Sequence, residues 1–232
     1  MRRATSVEAP SANESSKSRF SELRIYIFFK GNAPAHFLGV STNIRTMGRE
    51  QQIRSCTSSD GTRLAVATLG EGPPLVKAAT WLTHAEKEPT NLFARHWVAE
   101  LSRDNTLVRY DSRGCGMSDR DVERISMETW IEDLEAVVSG LDIERFPLFG
   151  MSQGAVIAVN YTARHPEKIS HLILYGSCAR GLLKRNPPPK VVEAAQAMLK
   201  AAELGWGADS SSFRQVFISA SLEFRVGKLA SF

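Results

Sequence analysis

The sequence predicts an α/β domain built on a mainly parallel sheet with helices on both faces. Two observations carry that expectation. Short apolar runs alternate with segments whose apolar residues recur every three or four positions, so that residues 75–176 read strand, helix, strand, helix, strand, helix, strand. The series opens on an Asp60-Gly61 turn between two strand-like segments, a hairpin signal. With 232 residues, 43% of them apolar, the chain can bury the core that one such domain needs.

Taken in order, residues 53–57 and 64–69 are the hairpin strands, joined by Ser58-Ser59-Asp60-Gly61. Gly70-Glu71-Gly72-Pro73-Pro74 is a loop, and residues 75–79 form a short apolar strand. Leu92, Trp97, Val98 and Leu101 have helical spacing within 91–102. Residues 106–111 are the next strand, ending in a glycine-rich turn. A helix follows over 126–139, with Ser126 as its cap and Trp130, Ile131, Leu134, Val137 and Val138 as its apolar face. Strand 146–150, helix 153–165 and strand 169–176 complete the alternation, and Pro166 stops the last helix. Beyond Gly181 the pattern changes. Pro187-Pro188-Pro189 is a rigid break, 191–204 is helical with Gly205 as its stop, and a second helix is expected from Ser210 to Phe224. Two helices after a sheet strand read as the start of a lid. The expected organisation is a disordered basic leader over 1–50, an α/β core over 51–180 and a partial helical lid over 181–232.

Charge and cysteine content narrow the function classes. Residues 1–50 carry eight Lys/Arg against four Asp/Glu, which accounts for the whole net charge of +4. Residues 51–232 are neutral, so no basic face of the domain argues for a nucleic-acid partner. The leader is serine-rich, with Met47 as an alternative start, and its longest apolar stretch, residues 25–29, is far shorter than the roughly 18 residues that span a bilayer. Cys56, Cys115 and Cys178 are scattered without metal-ligand spacing, which suits a reducing, cytoplasmic compartment and predicts no metal site.

One motif carries chemistry. Gly150-Met151-Ser152-Gln153-Gly154 fits Gly-x-Ser-x-Gly and falls between a strand and a helix, the setting of a nucleophile elbow. There the tight turn forces the serine into a strained backbone, the glycines avoid collisions, and the hydroxyl projects at the positive end of the helix. A second motif, Asp111-Ser112-Arg113-Gly114-Cys115-Gly116-Met117-Ser118, follows the preceding strand, and Gly114 and Gly116 are expected at positive φ.

Together these motifs resemble the α/β-hydrolase superfamily over residues 53–225, and more narrowly its esterase-like and haloperoxidase-like branch. The stretch 75–84, with Arg109-Tyr110-Asp111 and Gly114-Cys115-Gly116, is similar to hydrolase domains fused to bacterial regulators or nucleotide cyclases. The resemblance implies that Ser152 is the nucleophile, that Asp111 and Arg113 buttress the site floor, and that the backbone N–H groups of Gln153 and Trp81 form the oxyanion hole. Thr80 departs from the pattern, standing where the family usually has glycine. The resemblance implies no cofactor.

The family order is Ser, then Asp or Glu, then His. Only His165 and His171 follow Ser152; His36, His84 and His96 precede it. His165 is expected at the far end of the elbow helix, roughly 18 Å from Ser152. His171 is expected at the wrong end of its strand, which leaves His84, near the oxyanion loop, as the one substitute base. The chain is therefore expected to be C-terminally truncated, with strand 169–176 as an exposed apolar edge. Hydrolysis of a small ester or related acyl compound, impaired by the missing acid and histidine, is the expected function. The alternatives are a catalytically silent module binding an apolar ligand and a non-functional gene fragment.

Overall fold

The computed structural model describes residues 23–28, 50–141, 143–177, 180–206 and 215. Residues up to Ser177 form one compact unit and those from Cys178 onward a second.

The first unit is a seven-stranded sheet: β1 (Arg24–Phe28), β2 (Gln52–Thr57), β3 (Arg63–Leu69), β4 (Pro74–Lys77), β5 (Thr106–Tyr110), β6 (Phe146–Met151) and β7 (Ile169–Tyr175). Their order across the sheet is β1-β7-β6-β4-β5-β3-β2. The five strands from β1 to β5 in that order run parallel, and β3 and β2 are antiparallel. Three helices serve as crossovers: α1 (Arg95–Leu101), α2 (Met127–Ser139) and α3 (Gln153–Arg164). Ser126 caps α2 in a reciprocal pair with Thr129, each accepting the other's backbone N–H.

Side-chain alternation divides the core between the two faces. Val76, Val108, Leu148, Leu172 and Leu174 point toward α2 and α3, where Ile131, Leu134, Ile157 and Tyr161 meet them. Leu75, Leu107 and Phe149 point the other way, onto Trp97, Val98 and Leu101 of α1. Trp97 sits 5.5 Å from the Phe149 ring and 4.8 Å from the Tyr175 ring. Helices therefore cover both faces, as parallel sheets require.

Two expectations about the leader and the sheet edge are overturned. Residues 24–28 are not disordered; they form β1. Nor is β7 an open edge, because β1 pairs with it in parallel from Arg24↔His171 to Phe28↔Tyr175. Register places Ile25 and Ile27 beside Leu172 and Leu174, on the α2/α3 face, and Leu23 packs against that core. The physical reason is the alternation Leu23, Ile25, Ile27, which gives a five-residue run one apolar face. Apart from Leu23 and Glu50, the rest of the expected leader lies outside the described residues.

In the second unit, residues 182–185 form a short 3-10 turn and α4 (Pro189–Gly205) is the expected helix, begun by proline in its first turn and ended at Trp206. The second lid helix falls outside the described residues except for Gln215.

Candidate active site

At the C-terminal end of β6 the chain turns into α3 through Ser152, whose backbone adopts φ 53° and ψ −119°. Such a conformation costs a non-glycine residue on the order of 1–3 kcal/mol and persists only where the surroundings over-determine it. Here they do. The Ser152 N–H donates to the Tyr175 carbonyl of β7 (3.1 Å), and the Ser152 carbonyl accepts from the Ala155 N–H (3.2 Å). A Cβ on Gly150 would stand 2.6 Å from the Ala155 Cα, and one on Gly154 would stand 2.8 Å from the Ala78 carbonyl oxygen. Glycine is thus required on both sides of the turn. Ser152 is solvent-exposed at the first turn of α3, where the helix dipole favours negative charge.

The close approach at Gly154 also locates the loop that follows β4. Ala78 and Ala79 lie against the start of α3, so Thr80 and Trp81 continue from a point beside the elbow. Trp81 is about half exposed, as is Leu82. The Trp81 carbonyl accepts a hydrogen bond from Cys115 Sγ (3.3 Å), which joins this loop to the turn after β5. Burial pushes the Cys115 thiol pKa up, so it stays protonated as a donor. Trp81 and Gln153 thus belong to the two segments that Gly154 brings together.

Asp111 is fully buried, and its Oδ2 accepts from the N–H groups of Ala85 (2.9 Å) and Met117 (2.8 Å). One carboxylate thereby fastens the loop after β4 to the turn after β5. Gly116 has φ 55°, and a Cβ there would collide with that carboxylate at 2.2 Å; Gly114 has φ 77°. Arg113 is also buried. Its guanidinium donates to both Asp133 oxygens, from Nε (2.9 Å) and from a terminal nitrogen (2.6 Å), and reaches Asp60 at 2.6 Å. The bond from Arg113 holds the Asp60 carboxyl well below the usual carboxylate range, and Asp133 in turn raises the Arg113 pKa. Both side chains are buried, and the partners they meet are Ala85 and Met117 for Asp111 and Asp133 and Asp60 for Arg113.

Sequence reasoning missed a second buried charge cluster beneath the same loop. Glu88 accepts from Lys77 (3.3 Å) and Arg109 (2.7 Å), and Arg109 also donates to Gln51 at 2.5 Å. All three charges are less than a tenth exposed. Lys77 and Arg109 lie at the C-terminal ends of β4 and β5, so Glu88 pins the loop to the sheet beside the elbow. Lys77 within an apolar strand was the available signal.

The histidines are dispersed. His165 follows the last turn of α3 and pairs with Glu135 (3.3 Å), at the opposite end of the helix from Ser152. His171 stands at the start of β7, against Tyr26 and Ser170. His96 lies in α1 beside Trp97. His84 is on the loop after β4, with its Nδ1 buried and without a hydrogen-bond partner among the described residues. Cys178 and Ala179, after β7, lie outside the described residues.

Residues 59–231 match the alpha/beta hydrolase fold family, about three quarters of the chain, and the protein belongs to that family. Among its relatives, the AB hydrolase superfamily protein YisY of Bacillus subtilis is 34% identical over 129 residues, covering 54% of this chain and 46% of its own length. The cis-3-alkyl-4-alkyloxetan-2-one decarboxylase of Shewanella oneidensis is 28% identical over 140 residues, covering 59% and 42%. The esterase EaEST of Exiguobacterium antarcticum superposes with a TM-score of 0.56 at 23% identity, over 72% of this chain and 60% of its own, and shares the fold. The chain spans less than half the length of these two sequence relatives.

Proposed function

We propose that the protein is a serine hydrolase acting on a small ester or related acyl compound, with Ser152 as nucleophile. The observation that supports this reading is the strained, exposed Ser152 between two glycines that no larger residue can replace. In the proposed reaction the Ser152 hydroxyl oxygen bonds to the substrate carbonyl carbon while its proton passes to a base. The carbonyl electron pair moves onto oxygen, where the N–H groups of Gln153 and Trp81 stabilise it. Collapse expels the protonated leaving group, and water then releases the acid and restores the serine. In this reading His84, on the loop after β4, is the candidate for a base supplied from within this chain; His165 and His171 stand elsewhere. We further place the protein in the cytoplasm, on its scattered cysteines; among the described residues no helix is long and apolar enough to cross a membrane.

Covalent labelling by a fluorophosphonate, read by intact mass on a sample shown to be folded by circular dichroism, tests this. Labelling of the parent chain and none of Ser152→Ala is expected. Loss of labelling in His84→Ala as well would assign the base. A folded parent chain that takes no label would favour a silent module binding an apolar ligand.

A further inference from the structure

β1 reaches its place by an unusual route. The next described strand, β2, stands at the opposite edge of the sheet. The connection must therefore cross the sheet's full width, about 29 Å at the ~4.8 Å strand spacing. Twenty-three residues separate Phe28 from Gln52, and at ~3.3–3.6 Å each they could reach more than twice that distance. Chain length alone does not put β1 on β7; among the described residues, the pairing with β7 and the packing of Leu23 against the core hold it there.

That hold is narrow. β1 is five residues long and, among the described residues, pairs along one edge only. Ile25 and Ile27 remain 36% exposed, whereas their register partners Leu172 and Leu174 are 4% and 6% exposed. On this face β7 is thus the buried member of the pair and β1 the exposed one. The far end of this pairing bears on the site. Phe28 lies opposite Tyr175, which pairs with Met151 on its other side. The Tyr175 carbonyl accepts the N–H of Ser152, the residue held at positive φ. A strained residue keeps its conformation only while its neighbours stay fixed, and β1 fixes the outer side of the strand that holds Ser152.

We infer that the outer edge of β7 is an exchangeable strand-binding site, occupied here by residues 24–28 of the same chain, and that its occupancy sets the order of the Ser152 turn. The consequence for reactivity rests on Ser152 being the nucleophile; the structural coupling does not.

Hydrogen exchange by mass spectrometry on the full chain tests both parts. Two adjacent prolines, Ile25→Pro with Tyr26→Pro, remove one donor from each edge of β1, because successive N–H groups point to opposite edges, and so break its pairing with β7. Peptides from 169–175 and from 151–155 should both exchange about tenfold faster or more. A synthetic peptide copying residues 22–30, added at millimolar concentration, should restore protection in both. Unchanged exchange in β7 would mean that β1 does not hold that edge. Loosening of β7 without loosening of 151–155 would remove the coupling. A folded variant that the peptide does not protect would show that the edge accepts no strand in trans.

Should the proline variant unfold, Tyr26→Cys with Ile173→Cys places a disulfide between register partners. The oxidised form should exchange more slowly than the reduced form in both segments. Equal exchange, or no disulfide in a folded chain, overturns the inference. None of these readouts needs chemistry at Ser152. A chain inert to phosphonate that still shows the exchange changes keeps this inference and loses the hydrolase reading, and the converse result does the opposite.

Discussion

Ser152 concentrates the cost of the site in one residue. Its backbone is strained, and the strain is held by two glycines whose missing side chains make room for Ala155, Ala78 and Ala79. The two kinds of glycine constraint in the chain can be separated by experiment. Gly61 has φ 89° and open space where a methyl group would stand, so Gly61→Ala should cost about 1 kcal/mol, for conformation alone. Gly154 is crowded instead, its Cβ position lying 2.8 and 3.0 Å from two backbone carbonyl oxygens. Gly154→Ala should cost about 2–3 kcal/mol, because backbone must move. Urea unfolding of both variants checks the ranking, and Gly154→Ala should also lose phosphonate labelling.

Among the elements, buried ion pairs hold the site's loops to the sheet and to α2. Asp133 is fully buried and Asp60 is about a third exposed, yet both face Arg113. Removing Asp133 strands a buried guanidinium. Asp133→Ala should therefore cost about 3–5 kcal/mol, while Asp60→Ala, screened by solvent, should cost about 1 kcal/mol or less. Denaturant midpoints decide between them. Glu88 gives a dependence on pH. Burial opposes its charge, but Lys77 and Arg109 outweigh burial and bring its pKa below the ordinary 4.5. A carboxylate with a depressed folded value stabilises the fold above its unfolded pKa, and that contribution is lost as pH falls through the folded value. Glu88→Gln should thus be less stable than the parent at pH 7, with the gap closing below about pH 4. A stability gap that stays constant from pH 7 to pH 3 would show that the pair with Lys77 and Arg109 contributes nothing.

Across the whole molecule, the feature that matters is how the sheet ends. At one side, β2 and β3 close it with an antiparallel hairpin whose β2 residues are largely exposed. At the other side, β7 carries core residues up to the boundary, and β1 covers it. An apolar strand with unpaired N–H and C=O groups is a template for another chain. Ile25→Lys with Ile27→Lys should weaken β1 and leave that template open. Sedimentation velocity should then show self-association that rises with concentration, absent from the parent chain. A monomeric double variant at all concentrations would mean that β1 gives no such protection.

The sequence by itself determined the strand–helix alternation from residue 52 to residue 175, the Ser126 cap and the turn at Ser152. Each is written in neighbouring residues: a period of two or near four, a capping hydroxyl, two glycines around a serine. It also marked Asp111 and Arg113 through the second motif, although not their partners. Tertiary structure alone decided that residues 24–28 are a strand, because five alternating residues specify no partner and theirs lies more than 140 positions away. It alone decided that Glu88 is buried, since a glutamate in a polar loop reads as solvated until Lys77 and Arg109 arrive from two strands. Local periodicity survives in the sequence, but parallel pairing and buried charge compensation join residues that no local pattern connects.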